Sequence, residues 1–296
     1  MTQAPDAAGE GGAVAFPVAP APFPPFTDGR IPNKYGTGDS YRGPLVTPGL
    51  ITRLAPRPAF YARLFLGPVA WLSRRAAQGR CDDAAWAYSS DWVGDLMERM
   101  GCPVEIDGMD SINATEEACI FVANHMSTLE TFMLPGIIRP RRPVTFVVKE
   151  SLVTMPFFGP IMRSRDPVVV GRTNPREDLA AVLEGGVERL GRGVSLVIFP
   201  QSTRSLTFDE RHFNSIAVKL ARKAKAPLVP LALKTDAWGQ GRKIKELGPV
   251  RPGMPIRYRF GAPLRVAGNG REEQAAICDF IASALSGWQA KDGINA

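Results

Sequence analysis

From residue 102 onward, short runs of β-branched and aliphatic residues alternate with longer stretches whose apolar positions recur every three to four residues. The short runs predict strands at Pro103–Ile106, Cys119–Ala123, Val144–Lys149, Asp166–Val170, Val194–Phe199, Leu228–Leu233 and Ile256–Phe260. Asn174 as N-cap, Pro175 at the first helical position and Glu177 at the third open a helix that runs to about Leu190, before Gly191. Helices also fit Phe213–Lys225 and Arg271–Leu285. Strands alternating with helices predict an α/β fold, a mixed, largely parallel sheet covered by helices. In such folds sites gather at the carboxyl ends of the strands.

The preceding stretch, residues 58–101, carries a different pattern. Phe60, Tyr61, Leu64, Phe65, Val69 and Leu72 recur at helical spacing, as do Trp86, Val93, Leu96, Met97 and Met100 after a turn near Gly79. An amphipathic helical hairpin is predicted. Arg63, Arg74 and Arg75 among apolar and aromatic residues suit a helix lying in a membrane interface; the same stripes equally suit packing on the main domain. The apolar window Pro58–Leu72 is interrupted by Arg63 and Gly67-Pro68, short of the roughly 20 apolar residues that span a bilayer, so no transmembrane helix is predicted. Residues 1–57 are rich in Pro, Gly and Ala and predict an extended or disordered tail. Its first basic residue is Arg30, so it does not read as a secretory leader. The expected organisation is a tail (1–57), a hairpin (58–101) and an α/β domain (102–296).

Composition narrows the chemistry. The 296 residues are 45% hydrophobic and 22% charged, ordinary for a packed core. A formal net charge of +7 suggests an anionic partner without choosing between nucleic acid, lipid headgroup and phosphorylated substrate. The four cysteines lie far apart with no C-x-x-C, which fits free thiols in a reducing, cytoplasmic compartment. With two histidines, His125 and His212, any imidazole chemistry runs through one of them, and a multi-histidine metal centre is excluded. The chain has no G-x-x-x-x-G-K-[ST] loop, no G-x-G-x-x-G turn and no G-x-S-x-G elbow. Its aromatics follow apolar stripes rather than a basic face, so a nucleic-acid partner is not expected.

Two segments carry candidate chemistry. Cys119–Ala123 delivers Asn124 and His125 where an apolar strand gives way to polar residues, a position from which a neutral imidazole can act as general base. Glu130 lies five residues on. It either meets His125, if the histidine sits in the turn before the helix, or caps that helix within Ser127-Thr128-Leu129-Glu130. Spacing alone leaves both open. Val197-Ile198-Phe199 likewise runs into Pro200-Gln201-Ser202-Thr203-Arg204, presenting a guanidinium fork suited to phosphate at the same edge. His212 reads as a loop or helix-start residue. Lys219, Arg222, Lys223 and Lys225 read as a solvated face, with attraction to anionic lipid as the alternative.

Asn124-His125-x4-Glu130, then Val147-Val148-Lys149 with Asp166–Arg172, then Phe199-Pro200-Gln201-Ser202-Thr203-Arg204, and the apolar Ala226–Leu233 occur in that order. The set resembles the glycerolipid acyltransferases of the 1-acylglycerol-3-phosphate acyltransferase type, over roughly residues 100–265. The resemblance implies transfer of a fatty acyl group from an acyl-CoA or acyl carrier protein thioester to the hydroxyl of a lysophospholipid, first of all 1-acylglycerol-3-phosphate to give phosphatidic acid; the alternatives are another lysolipid or amphipathic alcohol as acceptor, or a catalytically silent membrane lipid-binding module. His125 would be the general base and Glu130 its acidic partner, with no bound cofactor and no metal. It places Lys149, Arg172 and Arg204 where the family binds the acceptor phosphate, and puts Asn124, Gln201 and Thr203 beside the substrate. A peripheral location on the cytoplasmic face of an anionic membrane follows. Two positions depart from the usual motifs: Glu130 stands where Asp is usual, and Gln201-Ser202 where Glu-Gly is usual.

Overall fold

The computed structural model describes residues 24–156 and 158–293. Among them eight strands form one sheet: β1 (Tyr41–Arg42), β2 (Val104–Asp107), β3 (Ile120–Ala123), β4 (Val144–Lys149), β5 (Val168–Val170), β6 (Ser195–Ile198), β7 (Leu228–Lys234) and β8 (Ile256–Phe260). Their order in space is β1-β2-β8-β7-β3-β6-β4-β5. Pairing is antiparallel at β1/β2 and β7/β8 and parallel elsewhere, so the sheet is mixed and largely parallel.

β3, β6 and β7 are buried along their whole length, which explains their uninterrupted apolar sequences. Alternation divides their side chains between two cores. Phe121, Ala123, Val197, Val229 and Leu231 enter one, while Ile120, Val122, Leu196, Ile198 and Leu228 enter the other. The second core is closed by α8 (Pro175–Gly191), α9 (Ile216–Ala224) and α10 (Arg271–Lys291). The first is closed by α2 (Pro56–Leu64), α3 (Ala70–Ala77), α4 (Asp83–Arg99) and α5 (Leu129–Ile138), after a short α1 (Leu50–Leu54). Two short helices, α6 (Glu150–Thr154) and α7 (Phe158–Arg163), link β4 to β5.

Residues 56–99 fold as two helical arms that differ in burial. The chain turns at Gly79, whose φ of +68° favours glycine, and Asp82 caps α4 by accepting the Ala85 N–H at 2.8 Å. α4 is buried nearly throughout and packs on α5, so this arm belongs to the core. The other arm breaks at Gly67-Pro68, where Gly67 leaves helical geometry (φ −97°, ψ −109°). It leaves Phe65 and Leu66 exposed, and α1 exposes Leu50, Ile51 and Leu54. No helix among the described residues is long and apolar enough to cross a membrane.

Residues 1–23 of the expected tail lie outside the described residues. Residues 24–57 depart from the expectation of an extended or disordered segment. Tyr35 is buried, and Lys34 Nζ pairs with Glu98 Oε2 at 2.6 Å. Tyr41 Oη donates to Glu98 Oε1 at 2.8 Å, and Phe26 packs edge-on against Trp71 and Tyr88. Order here comes from long-range partners on α3 and α4, which local composition does not encode. Smaller shifts have local causes. β5 starts at Val168 because Asp166 sits at φ +47°, and α9 stops at Ala224 because Lys225 takes a left-handed cap at φ +53°.

Candidate active site

β7, β3 and β6 lie side by side and parallel, with β4 and β5 beyond them, so their carboxyl ends open on one edge of the sheet. Asn124 and His125 leave β3 there, Phe199–Arg204 leaves β6, and Thr235 leaves β7. The buried Asn124 amide bridges two strands: Nδ2 donates to the Leu233 carbonyl (2.9 Å) and Oδ1 accepts the Leu233 N–H (2.8 Å). That joint ends the β3 ladder and fixes where the next residue departs.

His125 is then held from three sides. Its backbone N–H donates to Gln201 Oε1 (2.6 Å), its carbonyl accepts the Ser205 N–H (2.8 Å), and its ring stacks on Phe199 at 4.4 Å between centroids. Nδ1 is hydrogen-bonded to Glu130 Oε2. Glu130 is fully buried, and its other oxygen, Oε1, accepts from Met126 N–H (2.7 Å), Ser127 N–H (2.8 Å) and Thr235 Oγ1 (2.5 Å). Both readings of Glu130 therefore hold, one oxygen serving as helix cap and the other as histidine partner. With Oε1 taken up by three donors, Oε2 is the oxygen left to accept from Nδ1–H, the tautomer that leaves the lone pair on Nε2. An imidazole in that tautomer is ready to take a proton from a hydroxyl.

Two guanidinium groups flank the loop after β6. Arg204 Nη1 donates to Thr128 Oγ1 (2.6 Å) at the head of α5, and Nη2 pairs with Glu246 Oε1 (2.7 Å). Burial pushes the Glu246 carboxyl up, and the hydrogen bond from Arg204, a backbone N–H and the charges of Arg204 and Lys245 together outweigh it, leaving it below the ordinary glutamate value. Arg172, at φ +60°, donates through Nη1 to the Ser202 carbonyl (2.5 Å).

Residues 103–234 match the family model described as Acyltransferase. Over these residues the chain is similar to that family. The 1-acyl-sn-glycerol-3-phosphate acyltransferase of Pseudomonas aeruginosa is 30% identical over 147 residues, 50% of this chain and 54% of that protein. The probable enzyme of the same name from Mycoplasma pneumoniae is 36% identical over 159 residues, 51% and 59% of the two chains. That of Saccharomyces cerevisiae is 33% identical over 157 residues, 52% and 50%. The chain thus spans about half the length of the curated relatives it matches. The fold is that of the 1-acyl-sn-glycerophosphate (LPA) acyltransferase, PlsC, from Thermotoga maritima, with a TM-score of 0.62 at 18% identity over 81% of this chain and 97% of the other.

Within the matched residues, Lys149 ends β4 exposed on the same edge, and Thr203 is exposed beside Arg204. Asn124 and Gln201, expected beside the substrate, are buried, with their side chains engaged by the backbone of Leu233 and His125. His212 lies exposed in a single 3₁₀ turn, with Nδ1 3.1 Å from Asp209. Phe199, Thr235 and Glu246 were not foreseen. Thr235 carried the same signal as His125, a polar residue just past a buried apolar strand.

Proposed function

We propose that the chain transfers a fatty acyl group from an acyl-CoA or acyl carrier protein thioester to the free hydroxyl of 1-acylglycerol-3-phosphate, giving phosphatidic acid. The observation that carries this reading is His125, aligned by a buried Glu130 at the sheet edge that also bears Arg204 and Arg172. His125 Nε2 takes the hydroxyl proton as the oxygen attacks the thioester carbonyl. Glu130 stabilises the imidazolium that results. Collapse of the tetrahedral intermediate forms the ester and breaks the C–S bond, and the imidazolium returns its proton to the departing thiolate. Arg204, Arg172 and Lys149 bind the acceptor phosphate, and Thr203 lies beside it.

The exposed Leu50, Ile51, Leu54, Phe65 and Leu66, with Arg53 and Arg57 near them, support docking on an anionic membrane surface. We place the protein peripherally on the cytoplasmic face, a reducing setting that suits its four free cysteines. The test is incubation of the purified protein with a panel of lysolipids and both donor types, followed by mass analysis of the products. Phosphatidic acid should form from lysophosphatidate; product only from a phosphate-free acceptor would overturn the assignment.

A further inference from the structure

The ion pair between Arg204 and Glu246 has one partner with room to move. Glu246 arrives from the loop between β7 and β8, which closes through an antiparallel bridge between Trp238 and Val250 and a Gly239 N–H bond to the Pro249 carbonyl (2.8 Å). The two sides approach so closely that a Cβ at position 248 would lie 1.8 Å from the Gly239 oxygen, so the closure requires glycine there. The Glu246 carbonyl accepts from Trp238 Nε1 (3.1 Å) and Tyr61 Oη (3.2 Å), fixing the backbone at the mouth of the site. Its side chain is 41% exposed, against 18% for Arg204. A carboxylate is thus delivered to the guanidinium on a rigid backbone, with a side chain free to turn to solvent. Gln201, on the loop that carries Arg204, is neutral and engaged by the His125 N–H.

We propose that Glu246 is a specificity-determining counter-ion of Arg204, holding the guanidinium when no phosphate is bound and giving way to the phosphate of the acceptor. This rests on the acceptor reading above. A phosphate bears more charge than one carboxylate and offers oxygens on several sides, so it displaces Glu246 from the fork. A headgroup without an anion cannot, and meets an Arg204 that is already neutralised. Glu246 acts through Arg204 and touches no reacting atom.

The test compares wild type with Glu246→Gln and Glu246→Asp. Two quantities are read: the dissociation constant of inorganic phosphate, from thermal shift on titration, and KM for 1-acylglycerol-3-phosphate. Glu246→Gln should lower both about three-fold, the scale of relieving one partly exposed ion pair. Glu246→Asp, which keeps the charge on a shorter arm, should fall between. Unchanged or raised values in Glu246→Gln would overturn the proposal, and raised values with a lower Tm would make Glu246 a brace for Arg204. A wild type that binds phosphate but does not acylate lysophosphatidate would sink the acceptor reading, leaving the phosphate constants to judge Glu246.

Discussion

Thr235 Oγ1 lies 2.5 Å from Oε1 of Glu130, the carboxylate oxygen that does not touch His125. Thr235 also accepts a hydrogen bond from Ser127 Oγ (3.0 Å), which in turn accepts the Leu129 N–H (3.1 Å). A chain of donors from the first turn of α5 thus ends on the carboxylate that holds His125. It fixes which oxygen is left for the imidazole, and all of its members are buried.

Removing that donor should loosen Glu130 without removing its charge. Thr235→Val is expected to lower kcat about 10- to 100-fold, the usual range for a group that orients another. Thr235→Ser should restore most of the loss. Steady-state kinetics checks the pair, and an unaffected kcat in the valine variant would show that Met126 and Ser127 suffice.

Asn124 makes a stability prediction of a different kind. Truncation to alanine leaves both the Leu233 N–H and its carbonyl without their partner in the core, at a cost of about 2–3 kcal/mol. Urea unfolding at neutral pH measures it. Activity should fall too, because β3 and β7 carry His125 and Thr235 to the site.

Asp91, on the buried face of α4, predicts a pH dependence. Burial pushes its carboxyl up to about 7, against a hydrogen bond from the Lys34 backbone N–H and the Lys34 charge, with nearby Glu98 adding to the rise. A folded-state value above the unfolded one means the native chain holds an extra proton between about pH 4 and 7. The stability this contributes is complete below about pH 4 and is lost as pH rises through 7. Asp91→Asn, which keeps the neutral shape, should flatten the Tm profile over that window and stabilise the protein by about 2 kcal/mol at pH 8. A profile as steep as wild type would place the titration elsewhere.

The sheet was legible because parallel strands buried on both faces read as apolar runs. Its edge strand β1 was not, since Tyr41-Arg42 has no periodicity and pairs only once β2 is in place. His125 and Arg204 showed themselves as polar residues at strand ends. Their partners did not, because Thr235 is 105 positions from Glu130 and Glu246 is 42 from Arg204, distances that topology alone closes. Asn124 and Gln201 were visible as polar residues at the right place, but their hydrogen bonds to the backbone of Leu233 and His125 were not, because those partners meet them only through the topology of the sheet. Phe26, Tyr35 and Tyr41 sit in a stretch whose proline and glycine content suggests disorder, and their contacts with α3 and α4 override it.

The most direct measurement is single-turnover acyl transfer to 1-acylglycerol-3-phosphate by His125→Ala and Glu130→Gln, beside wild type. Glutamine at 130 can still accept through Oε1, turning its amide N–H toward Nδ1 and forcing the imidazole proton onto Nε2, the wrong nitrogen for a base. If His125 is the base and Glu130 sets its tautomer, both variants fold with wild-type circular dichroism and lose about 10³- to 10⁴-fold in rate. A rate within about ten-fold of wild type in either variant, below the usual contribution of a general base, would contradict that assignment.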